Sequence, residues 1–255
     1  MNPYFFGSSA RPLYGVHHPP RAREGAARGV VLCYPFGQEY MRGHRAFRQL
    51  ANLLSRQGWH VLRFDYSGTG DSAGAGTEAR AEEWLEDVGQ AVDELKDAAG
   101  LRQVTLIGLR LGAALATVAT AHRNDIDRLI LWDPVLRGAD YLAEILEAVG
   151  VPAGGESGVA GITGFPLTPE LHRGIASLDL TALGPPPASR VYLVTAQERA
   201  EVRSHARALA AAGAVVTDAC VPSPGSWNEV DFFGSALVPQ AIIRTIVGWL
   251  TEEER

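Results

Sequence analysis

Apolar residues fall along this chain in two alternating patterns: short continuous runs, and longer stretches where they recur every three or four positions. The runs at 29–34, 59–65, 104–109, 129–132, 191–195 and 214–217 predict strands, and the most uniformly apolar of them suit strands buried on both faces. Phe47, Leu50, Leu53 and Leu54 predict a helix over 44–57, stopped by Gly58. Trp84, Val88, Ala91, Val92 and Leu95 share one face of a helix over about 79–98, with acidic residues on the other face. Further helices are predicted over about 200–212 and 236–250, and a hairpin over 4–17 with its turn at 8–12. Strand alternating with helix implies an α/β fold with a mostly parallel, doubly wound sheet, whose ligands sit beyond the carboxyl ends of the strands. The alternation lapses over 139–187, where 150–164 is rich in glycine and Pro185-Pro186-Pro187 closes the stretch. The expected organisation is a core of 1–138 and 188–255 with a small cap or lid, partly mobile, inserted at 139–187.

The stretch from Val104 to Ala114 organises the rest: an apolar run turns through Gly108-Leu109-Arg110-Leu111-Gly112 into an alanine-rich helix. That spacing is that of a nucleophile elbow, G-x-S-x-G, in which glycines let strand and helix approach and the third residue projects above the sheet. Here the third residue is Arg110, whose guanidinium is always protonated and cannot attack a carbonyl. It can bind an anion.

A formal charge of −6 and scattered arginines exclude a nucleic-acid footprint. Cys33 and Cys220 sit in apolar runs and are too few for a disulfide framework, which implies buried, reduced thiols. Neither a metal-type His/Cys pair nor a membrane-spanning run occurs, and residues 1–7 do not read as a leader. The expectation is a cytoplasmic protein without metal or cofactor, acting on a small anionic or acyl molecule and away from membranes, with a homodimer allowed.

The order of elements, with Phe64-Asp65-Tyr66-Ser67-Gly68-Thr69-Gly70-Asp71-Ser72 before the acidic helix and the glycine-flanked Arg110 after it, resembles the α/β-hydrolase superfamily, most of all its serine-aminopeptidase-like branch. Pro35-Phe36-Gly37-Gln38-Glu39 and Trp132-Asp133-Pro134-Val135 are also similar to exosortase-associated hydrolases. The resemblance implies an oxyanion site after Tyr34, a nucleophile at the elbow, an acid after the sixth or seventh strand and a histidine after the last. The chain departs from this pattern at Arg110. Its loop after 191–195 reads Ala196-Gln197-Glu198-Arg199, and no histidine follows His205. Nucleophile and base are both missing, which rules against Ser-His chemistry.

Two readings of Arg110 stand side by side. It cradles a carboxylate, phosphate or enolate at a helix N-terminus, or it is an interior charge neutralised by Glu39, Asp133, Glu198 or Glu229. Candidate catalytic residues are Arg110, Glu39, Asp133 and Glu229; candidate substrate contacts are Phe36, Gly37, Tyr40, Leu111, Trp227, His44 and His172. Each has a structural reading too: Asp133 as an Asp-Pro turn starter, Trp227 as a core anchor, the histidines as surface residues. Cys33 reads as an inert core thiol. The leading expectation is an enzyme using Arg110 and a carboxylate in hydrolysis by direct water attack, or in a lyase, isomerase or cyclisation step. The competing one is an inactive hydrolase relative that binds or scaffolds. An open cavity with Arg110 free favours the first, a filled one the second.

Overall fold

A computed structural model describes residues 1–21, 27–121, 123–150, 160–162, 164–182, 184–227 and 237–252. In chain order these form β1 (Asn2–Ser8), β2 (Arg11–His18), β3 (Arg28–Cys33), α1 (Gln38–Arg56), β4 (Trp59–Phe64), α2 (Ala81–Ala99), β5 (Val104–Leu109), α3 (Leu111–Thr120), β6 (Ile126–Trp132), α4 (Gly138–Ala148), β7 (Ala160–Ile162), β8 (Phe165–Leu167), α5 (Pro169–Ala176), β9 (Arg190–Thr195), α6 (Ala200–Ala211), β10 (Val215–Cys220) and α7 (Gln240–Glu252).

Eight strands make one sheet in the order β1-β2-β4-β3-β5-β6-β9-β10. From β4 to β10 neighbours pair in parallel, while β2 runs antiparallel to both β4 and β1. Val31, Leu32, Leu106, Ile107, Leu129, Ile130 and Val191 are fully buried, as strands covered by helices on both faces require. The chain crosses from β3 to β4 on one side and from β4 back past β3 to β5 on the other. Right-handed crossovers therefore put α1 and α2 on opposite faces, and α1 packs with α7 while α2 packs with α3. The reversal leaves a crevice at the carboxyl ends of β3 and β5.

One boundary differs from the apolar pattern. α1 begins at Gln38 rather than near 44, because Gly37 caps it at φ 65°, a conformation that costs glycine little. Its first two turns bury Glu39, Arg42 and Gly43 instead of large apolar side chains, so hydrophobic spacing cannot register them. The stretch 139–187, expected to be a cap, holds most of α4, the β7-β8 ribbon and α5. α4 packs on α5, and α5 rests on α2 where a Cβ on Gly174 would come within 2.8 Å of Ala81. Most of the glycine-rich 150–164 lies outside the described residues.

Candidate functional site

β5 ends at Leu109, and Arg110 is the N-cap of α3 with φ 53°. A non-glycine residue held in that region stores backbone strain, and such strain gathers at functional positions. The neighbouring strand repeats it: Asp133, directly after β6, has φ 43°. The two turns brace each other. Arg110 N–H donates to Trp132 O at 3.0 Å, Val135 N–H to Arg110 O at 3.3 Å, and Asp133 N–H to Val194 O at 2.8 Å. The flanking glycines are steric requirements, since a Cβ on Gly108 would lie 2.4 Å from Ala113 Cα, and one on Gly112 2.2 Å from Cys33 O.

The Arg110 guanidinium is buried, and carboxylates hold it from two sides. Its Nε donates to Glu39 Oε1 at 2.8 Å, and its Nη2 donates to both oxygens of Glu144 at 2.7 Å. Its Cζ lies 5.5 Å from the centre of the Tyr141 ring, and the Tyr141 hydroxyl donates to Glu39 Oε2 at 3.0 Å. Both Glu39 oxygens are thus engaged. Burial raises the Glu39 carboxyl above its ordinary range, against the opposing pull of Arg110. Burial also works against the charge on Arg110, but Glu39 and Glu144 outweigh it and hold the guanidinium above its usual value. The two partners differ in accessibility: the Glu39 side chain is 2% exposed, that of Glu144 50%.

A second pair lies beside the first. Asp133 Oδ1 accepts from Ala196 N–H and Oδ2 from Trp227 Nε1, both at 2.8 Å. The Trp227 indole meets the buried Trp132 edge to face, with centroids 5.6 Å apart. A cavity of about 400 Å³ opens here, lined by Arg110, Asp133, Glu144, Arg199, Trp227 and Ile242 among others. A second, of about 640 Å³, lies against α4 and α6; it shares Arg110, Glu144, Arg199 and Glu201 with the first and adds Tyr141 and His205.

The remaining candidates divide. Phe36, Gly37, Tyr40 and Leu111 line a separate apolar recess with Trp84 and Phe165; at about 20 Å³ it has room for roughly one water. Tyr40 donates its hydroxyl to Asp65 at 2.8 Å, and His44 is exposed, stacked on Tyr34. His172 is exposed on α5 and lines none of these cavities. Glu198 turns outward to Arg203. Glu229 lies outside the described residues. Burial pushes the Cys33 thiol up to about 12, so it stays protonated. Tyr141 and Glu144 are the residues sequence reasoning passed over; their three-residue spacing on α4, which puts both on one face, is the signal that was there to find. Among the described residues no cluster of three His, Cys, Asp or Glu is placed to hold a metal, and no helix is long and apolar enough to cross a membrane.

Comparison with known proteins agrees with this geometry at the level of fold and family. The structure superposes over its whole length on Est1E from Butyrivibrio proteoclasticus, with a TM-score of 0.73, 15% identity and 99% of that chain covered. The sequence is 27% identical over 143 residues to the palmitoyl-protein thioesterase ABHD10, mitochondrial, of Homo sapiens, covering 56% of this chain and 44% of that one. It is 36% identical over 87 residues to the lysophosphatidylserine lipase ABHD12 of Xenopus tropicalis, covering 34% of this chain and 22% of that one. The matched region is thus less than half the length of either curated relative. The serine aminopeptidase S33 family model matches residues 26–154, from before β3 to beyond α4. With its eight-stranded sheet, its elbow at the end of β5 and half its length under that model, the chain belongs to the serine aminopeptidase S33 family of α/β-hydrolases.

Proposed function

We propose that this chain is a hydrolase-fold protein without a hydrolytic triad, which binds a small molecule in the roughly 400 Å³ cavity beside Arg110. The observation that carries this reading is the double clamp on Arg110: the side chain where the elbow presents a nucleophile is a guanidinium, already paired with Glu39 and Glu144. A guanidinium has no lone pair to add to a carbonyl. Trp227 reinforces the reading. It bonds Asp133 as a histidine would bond a triad acid, yet an indole N–H only donates and cannot take a proton from a nucleophile.

The same contacts weigh against the enzymatic alternative. Glu39 and Asp133 each have both oxygens engaged by protein donors, which leaves neither poised to activate water. A cavity of about 400 Å³ falls within the usual range for small-molecule sites, and its Arg, Asp, Glu and Trp lining suits a ligand with one charged end and an apolar body. The relatives' names concern thioester and lysophospholipid cleavage. The test is therefore turnover of p-nitrophenyl esters and of a fatty acyl thioester, for which we expect no rate above buffer. Saturable turnover that disappears in Asp133→Asn would overturn the proposal.

A further inference from the structure

The clamp on Arg110 is unequal. Glu39 meets Nε from inside the fold, with its second oxygen on Tyr141. Glu144 meets Nη2 from α4 and is half exposed. Its contact is also geometrically poor for a guanidinium, because both carboxylate oxygens crowd onto one nitrogen at 2.7 Å instead of spanning two. Among the described residues nothing accepts from Nη1. The Glu144 side chain lines both the cavity of about 400 Å³ and the one of about 640 Å³, as do Arg110 and Arg199.

We propose that Glu144 is a displaceable latch on Arg110, and that the ligand of this site is a small organic carboxylate that replaces it. Such a carboxylate bridges Nη1 and Nη2 end on, the fork that Glu144 does not make, and leaves the buried Nε–Glu39 contact in place. Its apolar body lies against Trp227, Leu237 and Ile242 in the smaller cavity. The exchange keeps the charge on the guanidinium balanced: one carboxylate leaves as another arrives. An intramolecular latch lowers apparent affinity by the fraction of time it is open, so a site open about 1–10% of the time binds roughly ten- to a hundredfold more weakly than an unlatched one.

This inference rests on the reading of the cavity as a binding site, and titration separates its failure from failure of that reading. Phenylacetate, with phenylacetamide as the uncharged control, is titrated calorimetrically into the wild type, Glu144→Ala and Glu144→Gln. Both variants keep the Glu39 partner of Arg110, so no buried guanidinium is stranded. Phenylacetate should bind the variants roughly ten- to a hundredfold more tightly than the wild type. Phenylacetamide should gain nothing. Adding Arg110→Lys to Glu144→Ala should abolish most of the gain, since lysine keeps the charge without the planar fork. Equal affinity in wild type and variants, an equal gain for the amide, or a gain that survives Arg110→Lys would overturn the latch. Ester turnover, measured on the same samples, would overturn the non-hydrolytic reading and leave the titration to be judged by itself.

Discussion

Replacing Arg110 with alanine removes the cation that pairs with Glu39 and leaves that carboxylate inside the protein, where among the described residues the Tyr141 hydroxyl is its one remaining side-chain donor. Breaking a buried pair from one side costs about 3–5 kcal/mol, because the surviving charge has neither its partner nor water. For a domain of this size that corresponds to a fall in Tm of roughly 10 °C. The penalty depends on pH. Burial already places the Glu39 carboxyl above its unfolded value, and loss of Arg110 raises it further. A group raised in this way binds its proton more tightly in the fold, so its contribution to stability is present at low pH and is lost as pH rises through the folded-state pKa. The deficit of Arg110→Ala relative to wild type should therefore be largest near neutral pH and shrink as pH falls toward about 5. Thermal melts and urea titrations of both proteins across that range measure it. A deficit below about 1 kcal/mol at neutral pH, or one that grows on acidification, would refute the claim that Arg110 neutralises a buried carboxylate.

Two further substitutions probe the frame around the clamp. Trp227→Phe keeps the aromatic packing on Trp132 but deletes the donor to Asp133 Oδ2, and should cost about 1.5–3 kcal/mol by urea unfolding. Gly112→Ala pushes a methyl group to 2.2 Å from Cys33 O and 2.4 Å from Tyr34 O, both backbone atoms that cannot step aside. It should cost at least about 1–3 kcal/mol or prevent soluble expression, and a wild-type melting temperature would contradict the close packing of α3 on the end of β3.

The sheet was legible because burial on both faces leaves an unmistakable trace: Val30 to Tyr34 and Leu129 to Trp132 are apolar at every position, and β3 and β6 lie where those runs predict. The elbow was legible because Gly108 and Gly112 are steric requirements written directly as residue types. The start of α1 was hidden for the opposite reason. Glu39, Arg42 and Gly43 are buried for their polar contacts or small size, and hydrophobic spacing sees none of that. Among the carboxylates named as partners for Arg110, contact in the structure is with Glu39; Asp133 is turned to Trp227 and Glu198 to Arg203. Glu144 escaped notice because it lies in the stretch where strand and helix stop alternating. One-dimensional spacing also says nothing about which of many surface acids reaches back 34 residues to an arginine. The strain at Asp133 was hidden as well, since Asp-Pro is compatible with an ordinary turn and nothing in the spacing marks a φ of 43°.

We propose that the elbow carries no nucleophile and that, among the described residues, the site holds no base. Intact-protein mass spectrometry after incubation with a fluorophosphonate probe tests it most directly, on the wild type and on Arg110→Ser, which restores a hydroxyl at the elbow. Both proteins should keep their unmodified mass, because neither has a proton acceptor at Trp227 to activate a serine. A stoichiometric phosphonyl adduct on the wild type, mapped to Ser226 or any other serine, or rapid labelling of the new serine in Arg110→Ser, would contradict the account.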